Sequence, residues 1–195
     1  MKRNRKLFIT IITLITALLL VSCASKNEAN KNNNPPPVQT AQASSTLGSF
    51  TAHDINGNAV NQDIFKNHDL TMINIWATFC PPCIREMPDL GKLNKEYADK
   101  NFQVIGIVVD VLNDDGSLSQ EQVELAKEII TKTNANYLHL IPSEDLINAK
   151  LEDVNLVPET IFVDKSGNIV GQSYVGARSM SEWKEIVDKT LKEVK

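Results

Sequence analysis

Two stretches of this chain are dominated by apolar residues, Leu7–Val21 and Met72–Ala77, and a polar run separates them. From Leu47 onward the pattern is that of one folded domain of 149 residues, long enough to bury a full core. Ser49–Ala52 and Val60 flank Asn56-Gly57-Asn58, which predicts a β-hairpin, and Asn61–Lys66 follows as a single helical turn. Met72–Ala77 is nearly continuous in apolar residues, as a strand buried on both faces should be. Ile84, Met87, Leu90, Leu93 and Tyr97 then recur every three or four positions and define a helix face, with Pro88 expected to kink it. Phe102–Val109 reads as a second buried strand, and Leu112–Leu118, with Asp114-Asp115-Gly116, as a loop. Ser119 and Gln122 form a capping box for a helix reaching Lys132, with Val123, Ala126, Ile129 and Ile130 inward. A short strand (Tyr137–Ile141), a short helix (Pro142–Leu151) and a strand (Thr160–Val163) follow. Asp164–Gly167 turns into the last strand, Asn168–Tyr174. Ser179 and Glu182 cap a final helix with Trp183, Ile186, Val187, Leu191 and Val194 on one face. This order predicts an α/β fold: a central mixed sheet with helices on both faces.

The first 46 residues lie outside that pattern. Met1–Lys6 is basic, and the 15 residues Leu7–Val21 fall short of the ~20 that span a bilayer, which suits a signal-peptide core. Without Lys2, Arg3, Arg5 and Lys6 the formal net charge falls from −4 to −8, which argues against nucleic acid as a partner. The segment ends Leu20-Val21-Ser22-Cys23 and resembles the lipobox of bacterial lipoproteins. The resemblance implies a signal peptide over residues 1–22 and lipidation of Cys23. It thereby implies attachment to the extracytoplasmic face of a bacterial cell membrane. Ala24–Thr46 is rich in Asn, Ala, Pro, Ser and Gln, with Val38 its only large aliphatic residue, so residues 23–46 read as a lipidated cysteine and a disordered tether. As a flexible coil it would hold the domain about 25–30 Å from the bilayer.

The remaining cysteines, Cys80 and Cys83, sit where a buried strand runs into a helix. That arrangement suits thiol–disulfide exchange, because free N–H groups and the helix dipole at the N-terminus favour a thiolate. Cys80 is the expected nucleophile, and Cys83, one turn in, is the resolving thiol that closes a Cys80–Cys83 disulfide. Pro81 and Pro82 between them carry no N–H, so the Cys83 amide is the first able to reach the Cys80 sulfur. A structural disulfide and half of a zinc site are the alternatives. Zinc needs two further ligands, and His53, His68 and His139 are scattered singly, so no metal is expected.

Trp76-Ala77-Thr78-Phe79-Cys80-Pro81-Pro82-Cys83, with Glu86 and Pro88 and then Val157-Pro158, resembles the thioredoxin superfamily. Within it the chain is most similar to TlpA/ResA-like membrane-anchored thiol–disulfide oxidoreductases. The resemblance covers residues 47–195. It implies a thioredoxin-like fold with an N-terminal hairpin extension and an insertion between the third strand and the cis-Pro strand. It implies that Pro158 is a cis-proline facing the disulfide and that Val157 offers backbone hydrogen bonds to a substrate strand. Trp76 would pack beside both. No cofactor beyond the cysteine pair is implied. The implied partners are protein disulfide substrates, such as apocytochrome c or a methionine sulfoxide reductase, and a membrane electron donor of the CcdA/DsbD type, with the chain a monomer. Two departures bear on proton handling. Asn74 stands where plain thioredoxin has a buried aspartate, and prolines stand where several ResA-like proteins carry a glutamate between the cysteines. Glu159 is the candidate proton acceptor for Cys83, with a solvent-facing strand acid as the alternative. Glu86 is expected as a solvated helix acid, with a helper near the site as the alternative.

The expected activity is protein-disulfide reduction. Its rivals are a disulfide-forming oxidase, a thiol peroxidase and a copper-binding module of the same fold. Thr78 lies two residues before Cys80, out of step with a peroxidatic Pro-x-x-x-Thr-x-x-Cys pattern, and Cys-Pro-Pro-Cys lacks the extra residue of the copper-chaperone motif.

Overall fold

In the computed structural model, which describes residues 46–194, the run around Ile73 is the central strand of a five-stranded sheet. The chain forms a hairpin, β1 (Thr51–His53) and β2 (Ala59–Asn61), then a 3₁₀ turn over Gln62–Phe65. β3 (Leu70–Trp76), α1 (Pro81–Glu96), β4 (Phe102–Val108), α2 (Gln120–Lys132) and β5 (Leu138–Leu140) follow. The remainder is α3 (Glu144–Ala149), a 3₁₀ turn at Leu151–Asp153, β6 (Glu159–Asp164), β7 (Ile169–Val175) and α4 (Met180–Glu193). The sheet order is β5-β4-β3-β6-β7, with β3, β4 and β5 parallel and β6 antiparallel to both β3 and β7. This is the expected thioredoxin-like sheet, with the hairpin added before it and the α3 segment inserted before β6.

All seven residues of β3 are buried, and strand alternation divides them between two cores. Leu70, Met72 and Trp76 join the core under the long helices, with Met87, Leu90 and Leu93 of α1, Val123 and Ala126 of α2, and Trp183, Val187 and Leu191 of α4. Ile73 and Ile75 face the other core, closed by Leu47, Phe50, Phe65 and Leu146 of α3. Helices therefore cover both faces unequally: the second is closed mainly by the N-terminal segment, the hairpin and short turns. Asn74 is the one polar residue that β3 sends into the first core.

Local sequence explains several of the joints. Asp54-Ile-Asn-Gly-Asn58 and Asp164-Lys-Ser-Gly-Asn168 build the same turn. In each, the aspartate carboxylate accepts from two backbone amides and from the closing asparagine side chain. The first turn docks on the sheet edge, where Ile55 N–H donates to His139 O and Ile141 N–H to His53 O. α1 runs unbroken through Pro88. The capping box expected at Ser119 is half formed: Ser119 Oγ accepts from Gln122 N–H, while the Gln122 side chain turns instead towards Thr78 Oγ1, 3.1 Å away. At α4 both halves of the Ser179–Glu182 box are present.

Candidate functional site: a disulfide at the head of α1

β3 ends at Trp76, and a short turn delivers Cys80 as the N-cap of α1. Asp110, just beyond β4, fixes that turn: its carboxylate accepts from Thr78 N–H at 2.9 Å and from the Thr78 hydroxyl. Cys80 and Cys83 are joined in a disulfide. Cys83 is fully enclosed, whereas Cys80 keeps a sliver of exposure at the surface. The Cys83 N–H donates to Cys80 Sγ at 3.2 Å, the interaction left over by two prolines that have no N–H to offer. The order of attack follows from access, since an external disulfide can reach only Cys80.

Glu86 lies one turn after Cys83 and is 3% exposed, which corrects the expectation of a solvated helix acid. One carboxylate oxygen accepts from Asn74 Nδ2 at 2.9 Å. The other accepts from the Arg178 amide at 3.1 Å and the Trp183 indole at 3.4 Å. Asn74 Nδ2 also donates to Thr160 Oγ1 across the sheet. Burial raises the Glu86 pKa above the usual carboxylate range, although the three donors and the Arg178 charge oppose it. A carboxylate balanced in this way holds a proton more readily than a solvated acid does, while its three donors still support the ionised form. The signal in the sequence was its place three residues after Cys83 and one before Met87, on the buried stripe of α1.

Trp76 packs in the core beside this site, and its indole N–H donates to His139 Nδ1 at 3.2 Å. His139 Nε2–H in turn donates to Ala135 O. Burial lowers the His139 pKa to about 4, so the ring is neutral and the pairing holds. The His139 ring occupies the space above Gly106, where a Cβ would meet His139 Cε1 at 2.7 Å and Trp76 Nε1 at 3.1 Å. His139 is thus a core histidine.

The Val157–Pro158 peptide is cis, and Cys80 Sγ lies 3.6 Å from Val157 O. Val157, Pro158 and the two cysteines are therefore brought together, while the Trp76 indole shares their core but turns to His139 on β5. Glu159 is not. It points to the opposite face of the sheet, in line with Ile161 and Val163, and pairs with Lys150 at 2.6 Å. Both side chains are almost fully buried, so Glu159 is neither beside Cys83 nor facing solvent. Cys23 lies outside the described residues. A groove of about 630 Å³ runs from Cys80 along Val157 to the inserted segment, lined by Phe79, Pro82, Leu112, Ile147, Leu151 and Leu156 among others. Phe79, Leu156 and Val175 are exposed large hydrophobics, two on that groove and one at the end of β7 beside the cis-proline strand. Among the described residues, no group of three His, Cys, Asp or Glu side chains is arranged to hold a metal, and no helix is long and apolar enough to cross a membrane.

The comparisons with known proteins agree with this geometry. The Redoxin family matches residues 42–187. The thiol-disulfide oxidoreductase ResA of Bacillus cereus is 25% identical, with 97% of this chain and 98% of that protein covered. The thiol:disulfide interchange protein DsbE of Vibrio cholerae is 27% identical over 98% of this chain and 99% of its own length. Among solved structures, a thioredoxin-family thiol:disulfide interchange protein from Chlorobium tepidum superposes with a TM-score of 0.62 at 25% identity. The match covers 78% of this chain and 99% of that one.

Proposed function

Because the chain belongs to the redoxin family and is a thiol–disulfide oxidoreductase of thioredoxin fold, we propose that it works outside the cytoplasm as a lipid-anchored reductase of protein disulfides. The observation that carries the chemistry is the Cys80–Cys83 disulfide, set at a helix N-terminus against the cis Val157–Pro158 edge. In the reduced enzyme the Cys80 thiolate attacks one sulfur of a substrate disulfide. That S–S bond breaks, one substrate sulfur leaves as a thiolate and takes up a proton from solvent, and a mixed disulfide forms on Cys80. Glu86 takes the proton of Cys83, and the resulting thiolate attacks Cys80 Sγ and expels the second substrate sulfur as a thiolate, which then takes up a proton. The substrate disulfide is reduced to two thiols, and the enzyme dithiol is oxidised to the disulfide seen here.

The groove lining supports a substrate segment that is apolar on one side of its cysteine, with Val157 offering main-chain pairing. The lipobox-like Leu20–Cys23 supports the anchor, and the acidic domain gives no support to a nucleic-acid partner. The TlpA/ResA-like resemblance supports the reducing direction, with an apocytochrome c or a methionine sulfoxide reductase as client and a CcdA/DsbD-type membrane donor. Trapping with Cys83→Ser tests the client: resolution is lost, and mixed-disulfide partners accumulate on Cys80. Equal trapping by Cys80→Ser would overturn the assignment of the nucleophile. A measured potential near −120 mV rather than near −270 mV, the two ends of the range this fold spans, would overturn the direction.

A further inference from the structure

β7 hands over to α4 through Gly176–Ser179, and this turn touches the redox site twice. Gly176 N–H donates to Pro158 O at 2.8 Å, and Arg178 N–H donates to Glu86 Oε2 at 3.1 Å. Pro158 follows the residue whose carbonyl lies against Cys80 Sγ, and Glu86 follows Cys83 by one helical turn. The turn therefore closes a ring of contacts from Cys83 through Glu86, Arg178, Gly176, Pro158 and Val157 back to Cys80. Gly176 takes φ +88°, a conformation open to glycine, so backbone preference alone does little to hold the turn in place.

The Arg178 side chain supplies what the backbone lacks. It curls back so that Nη1 donates to Gly176 O at 2.8 Å and Val175 O at 3.4 Å, and its guanidinium lies 5.0 Å and 5.2 Å from the Tyr174 and Trp183 ring centres. A planar fork can serve two carbonyls and two rings at once, which a lysine cannot. We infer that Arg178 is a positioning residue for the redox site, whose side chain pins the turn that holds both the Glu86 carboxylate and the Val157–Pro158 edge. Its charge also favours ionised Glu86. The other groups that act on Glu86 are neutral Asn74 on β3, itself bonded to Thr160 on β6, the Trp183 indole on α4, and the buried Tyr137 hydroxyl before β5, with Cys83 one helical turn before it on α1. Exposed Glu182 lies near Arg178 and partly offsets its charge.

The inference rests on Glu86 as proton acceptor, and the test separates the two. The reduced full-length protein is mixed with 5,5′-dithiobis(2-nitrobenzoate). Attack by Cys80 releases a first nitrothiolate, resolution by Cys83 releases a second, and the second phase is followed from pH 5 to 9. In the wild type that phase accelerates as Glu86 ionises. Arg178→Met keeps the stem but loses the charge and the fork, and should move the midpoint up. Arg178→Lys, which keeps the charge, should fall between, and it serves as the readout should the methionine variant fold poorly. Glu86→Gln should remove that midpoint and leave only the rise at higher pH as the Cys83 thiol itself ionises. An unmoved midpoint in both Arg178 variants, with that midpoint absent from Glu86→Gln, overturns the role of Arg178 alone, even if their stability drops. A wild-type profile in Glu86→Gln overturns the proton acceptor and this inference with it.

Discussion

The buried pair Lys150–Glu159 offers the sharpest energetic test of this architecture. Lys150 caps the C-terminus of α3 and Glu159 opens β6, in register with Ile75 on one side and Val175 on the other. The two side chains are 5% and 6% exposed and 2.6 Å apart, so the pair bolts the inserted segment to the middle of the sheet. Removing one partner strands a charge in the core. Such losses cost about 3–5 kcal/mol, whereas replacing both partners with apolar groups of similar volume is neutral or stabilising. Glu159→Leu and Lys150→Met should therefore each cost about 3–5 kcal/mol. For a domain of this size that is a fall in Tm on the order of 10 °C.

The double variant should return to within about 1 kcal/mol of the wild type, giving a coupling energy of at least ~2 kcal/mol in a double-mutant cycle. Equilibrium urea unfolding, with m-values compared to exclude a changed denatured state, measures it. Two results would refute the reasoning: single variants costing under about 1 kcal/mol, or a double variant whose loss is the sum of the singles. The same proteins test chemistry. Because Glu159 lies across the sheet from Cys83, the double variant should resolve the nitrobenzoate mixed disulfide within about twofold of the wild-type rate, whereas a proton acceptor would cost ~100-fold or more.

Three further expectations follow from individual contacts. Gly106→Ala drives a methyl into His139 and breaks its pairing with Trp76; overpacking and an unpaired buried group together should cost about 2–5 kcal/mol, read as a lower urea midpoint. Glu86 has a folded pKa above its unfolded value, so its ionised form weakens the fold as pH rises from about 4.5 through the raised value. Glu86→Gln should accordingly gain stability over the wild type at pH 8 and lose that advantage by pH 4, and thermal unfolding across that range would show a constant difference if the carboxylate were not under strain from burial. Asp110→Ala frees Thr78 and the turn that carries Cys80; the first nitrothiolate phase should slow at least ~3-fold from two lost charge-assisted hydrogen bonds, and an unchanged rate would mean that α1 alone positions Cys80.

What could be read in the sequence was what a few neighbouring residues decide between them. The Asp-x-x-Gly-Asn turns, the Ser179 cap, the seven-residue strand around Ile73 and the N-cap position of Cys80 all follow from local chemistry and periodicity. Pro158 was legible only through the resemblance, since nothing in Val-Pro-Glu by itself selects the cis bond. Glu86 was misjudged because acids on helices are usually solvated, although the Cys83–Glu86–Met87–Leu90 spacing pointed inward. Glu159 was misjudged for a different reason. Its partner Lys150 is nine residues away at the end of a short helix, and only the folded sheet brings the two charges together. Gln122 failed as the second half of a capping box because a tertiary partner, Thr78, competes for its side chain.

The exchange of an acid for Asn74 then has a physical reading. A carboxylate at that position would sit against Glu86, and two buried like charges within hydrogen-bonding distance push at least one of them into the neutral form. An amide in the same place donates its N–H to Glu86 instead and supports the ionised state. The acid has in effect moved from the strand to the helix. There it lies one turn below Cys83, and the Arg178 turn that holds the substrate edge can reach it. Thiolate stabilisation at Cys80 rests on one amide, because Pro81 and Pro82 offer none. The site thus separates its two tasks: the helix terminus poises Cys80 for attack, and the Asn74–Glu86–Arg178 cluster manages the proton that Cys83 must lose.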